Sequence, residues 1–229
     1  MTTLSFSLPD GSTREVAVRR TLNAGYAGRN TEEVRAHIDE LAELGVPGPS
    51  TVPTMYPIST YLAQQVDVVE VQHAKTSGEA EWALVIADGG EVLLTAACDH
   101  TDRALEVHGV AWSKNASPDV LSTRAWRLDD VRDHLDQITL KAWVTHDGGE
   151  EQLISDSTCG ALLTPDHWLG VLGERGLAEP GTVLMSGTVL MKEGVDQFAD
   201  RWRVELADPV TGESIDVAYA IEILPDPID

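Results

Sequence analysis

Apolar and polar residues alternate over many short stretches, and a period of two predicts strands. Leu4, Phe6 and Leu8 alternate ahead of Pro9-Asp10-Gly11, and Val16 and Val18 alternate after it. Residues 1–18 therefore read as a hairpin. The next stretch, Asn23 to Asn30, is broken by Gly25 and Gly28 and reads as a loop. The period then changes. Val34, Ile38 and Leu41 recur at helical spacing, Asn30 or Thr31 can cap the start, and Gly45 can end the turn, which predicts a helix over 31–44. Four prolines between Val46 and Ile58 impose a rigid extended crossing. Strands are predicted over 66–71, 138–144, 182–190 with an interruption at Ser186-Gly187-Thr188, 202–206 and 215–224. Short helices are predicted over 128–135 and from Pro165 to about Leu172. Ser113 to Pro118 reads as a loop. The fold class this pattern predicts is mainly β with short helices (α+β). It divides into a small N-terminal segment, 1–58, and a main domain, 59–229.

The most informative stretch is Ser77 to Arg103. A strand starting at Glu79 puts Glu79 and Glu81 on one face, with Trp82 and Leu84 on the other. Asp88-Gly89-Gly90 reads as a hairpin turn, and the return strand ends at Cys98-Asp99. Three carboxylates, Glu79, Glu81 and Asp99, then converge at one end of a hairpin. Like charges this close repel unless a proton or a cation intervenes, and oxygen donors suit Mg²⁺, Mn²⁺ or Ca²⁺. The alternative is a solvated Glu-x-Glu on an edge strand. His37 and Glu40, three apart on the first helix, read either as an acid–base pair or as a surface ion pair.

Composition narrows the picture by exclusion. The 229 residues carry a formal net charge of −22, spread along the chain. Such a surface repels phosphate backbones and anionic lipids, so neither nucleic acid nor membrane is an expected partner. No apolar run has membrane-spanning length, and the N-terminus lacks the pattern of a signal peptide. Two cysteines, Cys98 and Cys159, make no disulfide framework. The expected location is the cytoplasm.

Several motifs, taken in order, resemble the fumarylacetoacetate hydrolase-like superfamily. They are Gly28 and Asn30, His37-Ile38-Asp39-Glu40, the crossing from Pro47 to Pro57, Glu79-Ala80-Glu81, and Asp99 with Arg103. Lys114 and the run from Pro180 to Thr188 complete them. The resemblance runs from about Leu22 to the C-terminus. The sequence departs from it at Tyr56, where a lysine is usual, at Thr182, where an acid is usual, and at Val189, where proline is usual. It therefore looks like a divergent branch.

The resemblance implies a mixed β-roll or sandwich with a helical lid near the N-terminus, and usually a homodimer. It implies a divalent cation, Mg²⁺ or Mn²⁺ with Ca²⁺ as a third option, on Glu79, Glu81 and Asp99. A 2-oxo carboxylic acid would chelate there, and the cation would stabilise a developing enolate. His37, oriented by Glu40, would activate water, and Lys114 would supply positive charge. Thr188 and the backbone of Gly187 would bind a carboxylate. Arg103 would either contact substrate or bridge to acids such as Asp102, and Tyr56 would either face the site or pack in the core. The leading reading is hydrolysis of a C–C bond in an acylpyruvate-like acid. A hydratase, isomerase or decarboxylase at the same site is the second, and a non-catalytic dimeric binding protein is the alternative of another class.

Overall fold

The computed structural model describes residues 2–228 apart from Leu44, and the His37 side chain is also outside the description. The predicted N-terminal hairpin forms from β1 (Thr3–Ser7) and β2 (Thr13–Ala17). Then come β3 (Arg20–Gly25), α1 (Thr31–Glu43), β4 (Thr54–Ile58), β5 (Ala63–Gln64), β6 (Val68–Val71) and β7 (Thr76–Ser77). The central hairpin is β8 (Ala80–Ile86) and β9 (Val92–Asp99), followed by β10 (Thr101–Asp102), α2 (Val110–Lys114), β11 (Asp119–Leu121), β12 (Trp126–Arg127) and α3 (Leu128–Val131). The chain closes with β13 (Thr139–Thr145), β14 (Gln152–Thr158), α4 (Pro165–Glu174), β15 (Thr182–Met185), β16 (Arg201–Ala207) and β17 (Ser214–Ile223).

Two sheets carry the architecture, and the fold is mainly β with a few short helices, as the pattern predicts. One sheet has eight strands in the order β4-β3-β15-β8-β9-β11-β5, with β12 also paired to β9. The other has five, in the order β14-β13-β16-β17-β6. The N-terminal segment supplies its own hairpin and α1, and it also gives β3 and β4 to the larger sheet.

The central hairpin is buried on both faces, and the alternation of its residues says why. Even-numbered Trp82 and Leu84 on β8, with Leu94, Ala96 and Cys98 on β9, join the core between the two sheets, where Trp202, Val204 and Tyr219 meet them. Odd-numbered Ala83 and Val85, with Leu93 and Ala97, join a second core roofed by Leu4, Phe6, Val16 and Val18 of the first hairpin. Glu81 and Asp99 sit at odd positions, so they belong to this second face and stand at its polar end. Gly78 sets the approach: a Cβ there would lie 2.6 Å from both Cys98 Sγ and the Trp202 ring.

Three predicted elements differ. Asn23 to Gly25 do not belong to a loop; they are the last three residues of β3, hydrogen-bonded to β4 on one side, with Asn23 also registered on β15. Lys114 is not in a loop but ends α2. The strand predicted over 182–190 breaks after Met185, at the expected interruption of Ser186-Gly187-Thr188, but it does not resume beyond it, because Gly187 takes a φ of +83° and turns the chain.

Candidate functional site

Glu79, Glu81 and Asp99 come together as the alternation requires. They can each offer an oxygen such that the three atoms lie within 4.8 Å of one another. Glu81 and Asp99 are fully buried. Glu79 precedes β8, Glu81 is on it, and Asp99 ends β9, whose backbone N–H donates to the Glu79 carbonyl at 3.1 Å. This is a closed cluster rather than a solvated edge.

Lys114, predicted as a charge beside the site, lies in contact with two of its members. Its Nζ donates to Glu79 Oε2 at 3.0 Å and to Asp99 Oδ2. Burial alone would discharge the ammonium, but Asp99 and Glu79 raise its pKa well above the ordinary lysine value. Arg103 takes the salt-bridging role and not with Asp102. Its Nη1 donates to Glu79 Oε1 at 2.9 Å and to Glu106 Oε1 at 2.8 Å, and its Nε donates to Ser77 Oγ at 2.7 Å. Burial would raise the Glu79 carboxyl, yet Lys114 and Arg103 hold it down at about 2.

The backbone N–H of Gly187 does bind a carboxylate, but it is that of Glu81, whose Oε2 accepts at 2.9 Å. The turn that makes this contact needs glycine twice over, since a Cβ there would also meet the Ala27 Cβ at 2.9 Å. Thr188 Oγ1 donates back to the Ala80 carbonyl at 3.2 Å, tying the turn to the strand that carries Glu81. Tyr56 is half-buried on β4 within the field of Lys114 and Glu79. Beside it is Tyr26, whose phenol is pushed up to about 12, first by burial and then by Tyr56, Glu106 and Glu79. His37 and Glu40 lie on α1. The His37 side chain is outside the described residues, so that pair stays an expectation from sequence.

Asn23, Asp119, Glu106 and Tyr26 also stand at the site, and none of them is among the residues the motifs predict. Asp119 opens β11 opposite Asp99, fully buried. The Asn23 amide Nδ2 donates to Asp99 Oδ2 and to Asp119 Oδ1, both at 2.9 Å. A signal for Asn23 existed, because Thr21-Leu22-Asn23-Ala24 alternates polar and apolar. None existed for Asp119, since three residues are too few to show a period. His100 is not part of the cluster. Its ring nitrogens bond Tyr219 Oη and Thr76 Oγ1, both at 2.9 Å, and burial drops it to about 3, so it is a neutral core residue.

The donor set fits a divalent ion. Glu79, Glu81, Asp99, Asp119 and Glu106 face two cationic groups, Lys114 and Arg103, among the described residues. Burial, then the charge of Asp99, pushes both Glu81 and Asp119 well above the usual carboxylate range. Glu81 Oε1 and Asp119 Oδ2 are buried with no hydrogen-bond partner. Buried carboxylate oxygens left this way are costly, and a cation would satisfy the one on Glu81.

Fold and site together describe a β-rich domain that buries an acidic, oxygen-donor cluster beside a lysine. The chain belongs to a family described as "Protein of unknown function (DUF2848)", whose model matches residues 24–219. No curated protein matches the sequence significantly. Solved structures share the fold at low identity. The structure of Cg1458 with inhibitor is 20% identical, covers 92% of this chain and 79% of its own, and has a TM-score of 0.60. A hexagonal crystal form of 2-keto-3-deoxyarabinonate dehydratase is 15% identical, with 93% and 78% covered and a TM-score of 0.63. A 2-keto-3-deoxy-D-arabinonate dehydratase complexed with magnesium and 2,5-dioxopentanoate is 15% identical, with 93% and 77% covered and a TM-score of 0.60. Among the described residues no helix is long and apolar enough to cross a membrane.

Proposed function

We propose that this protein is a divalent-metal-dependent enzyme of the fumarylacetoacetate hydrolase-like superfamily, acting on a small 2-oxo carboxylic acid. The observation that carries the reading is the buried cluster of Glu79, Glu81 and Asp99 with Glu81 Oε1 lacking a donor. These three residues would hold Mg²⁺ or Mn²⁺. When bound, the ion supplies a Lewis acid for the 2-oxo group. Lys114 keeps its charge and would face the substrate's anionic end. Arg103 fixes Glu79 through one nitrogen shared with Glu106, so its main work is to orient the cluster. Tyr26 stays a neutral hydrogen-bond donor across the physiological range, and Tyr56 likewise resists ionisation. His37 would take a proton from water, oriented by Glu40 three residues further along α1, with α1 as the covering element.

Cleavage of a C–C bond by activated water is the first reaction to test. Dehydration of a hydroxylated 2-oxo acid is the second, favoured by the shared fold with a dehydratase whose complex contains magnesium and 2,5-dioxopentanoate. A homodimer is part of the proposal, and light scattering on the purified protein tests it.

The experiment is metal titration by calorimetry, followed by a substrate screen. The parent should bind one Mn²⁺ or Mg²⁺ per chain, and Glu81→Gln should abolish most of that affinity. A parent that binds no divalent ion would sink the reading. Acylpyruvates, oxaloacetate and hydroxylated 2-oxo acids with Mg²⁺ and Mn²⁺ then separate hydrolase from lyase. On whichever substrate turns over, His37→Ala should lower kcat by about 10²- to 10⁴-fold, the usual contribution of a general base. An unchanged kcat removes His37 from the chemistry.

A further inference from the structure

Asn23 links two acids that lie far from it along the larger sheet. β3 is separated from β9 by β15 and β8, and β11 lies beyond β9. The sheet curls enough for the Asn23 side chain to reach both Asp99 and Asp119 across its inner face. Both contacts are to carboxylate oxygens, so chemistry fixes the amide orientation: the NH₂ faces the acids and Oδ1 points away. Asn23 Oδ1 and Asp119 Oδ2 are then buried without partners, and each costs stability. A core built for stability alone would place apolar residues here, as Ala83, Ala97 and Leu121 do on the same face.

What the arrangement achieves is a fixed Asp99. Oδ2 accepts from Asn23 on β3 and from Lys114 on α2, while Thr101 Oγ1 on β10 donates to Oδ1 at 3.2 Å. Three elements thus hold one side chain, and Asp119 holds the amide that does part of the holding. We infer that Asn23, anchored by Asp119, is a positioning residue that orients Asp99 for cation binding from a strand carrying no ligand of its own. The inference rests on the proposed metal site. Hydrogen bonds to a liganding carboxylate fix its orientation, and losing them typically costs about 10- to 100-fold in metal affinity.

The test measures Mn²⁺ affinity by calorimetry and by the electron paramagnetic resonance signal of free Mn²⁺, with circular dichroism and metal-free melting as checks on the fold. Asn23→Leu should weaken Mn²⁺ binding by about 10- to 100-fold in a folded protein. Asp119→Ala should weaken it in the same direction by releasing the amide, and it decides the matter if the leucine variant does not fold. Thr21→Val is the control. Thr21 precedes Asn23 on the same face of β3, and its buried hydroxyl bonds nothing. Its affinity should equal the parent's. Parent-like affinity in a folded Asn23→Leu, parent-like affinity in Asp119→Ala where the leucine variant does not fold, or an equal loss in Thr21→Val overturns the inference while leaving the metal site standing. A parent that binds no Mn²⁺ removes the metal reading and this inference with it.

Discussion

At the scale of single residues, the site is a contest between burial and charge. Burial pushes the carboxyls of Glu79, Glu81, Glu106 and Asp119 toward the neutral form, and what each of them does depends on the charges beside it. Glu79 has Lys114 and Arg103 against it and falls to about 2, whereas Glu81 has a single backbone N–H and rises. Tyr26 shows burial leading. An unfolded tyrosine ionises near 10, and the half-buried Tyr26 phenol holds its proton to about 12. Its contribution to stability is therefore fully present below pH 10 and is lost as pH rises from 10 toward 12. The absorbance at 295 nm lost on Tyr26→Phe should titrate near pH 12. A midpoint near 10 would show that Tyr26 is not buried as described.

At the scale of elements, α1 is anchored at its start. Arg29 pairs with Asp136, donating from Nη1 at 2.7 Å, and Asn30 Oδ1 accepts from the Glu32 N–H at 3.1 Å. The acids Glu32 and Glu33 complement the positive end of the helix. Asn30→Ala should cost about 1 kcal/mol of local stability, the usual loss of an N-cap. Amide exchange in residues 31–36 would report it as faster opening, with the strands of the larger sheet unchanged. If α1 covers the site as proposed, the same variant should raise KM before it lowers kcat. The central hairpin behaves differently, because β8 and β9 serve two cores at once and have no face to spare. That double burial holds the Glu81 and Asp99 backbones rigidly, the condition for the proposed ligand set to keep its geometry.

At the scale of the whole molecule, the core between the sheets is the element most sensitive to cavities. Trp82 is fully buried there, as are Trp202 and Tyr219 from the facing sheet. Trp82→Ala should destabilise the protein by about 3–5 kcal/mol, read as a lowered denaturant midpoint. A loss under about 1 kcal/mol would mean that the two sheets do not depend on this contact. The sequence on its own determined the central hairpin, the separation of Glu81 from Trp82 onto opposite faces, the helix at 31–43, and the first hairpin. All of these follow from periods of 2 and 3.6 and from turn residues, which act between near neighbours. The motif order also pointed to the carboxylate trio, since Glu79, Glu81 and Asp99 share one hairpin. That Asn23 and Asp119 join the cluster, that the Gly187 N–H goes to Glu81, and that Arg103 pairs with Glu79 and Glu106 rather than Asp102 emerges only in the folded chain. Those contacts depend on how far the larger sheet curls and which strands it brings opposite each other. Alternation tells a residue which face it occupies; only sheet pairing and closure tell it what that face meets.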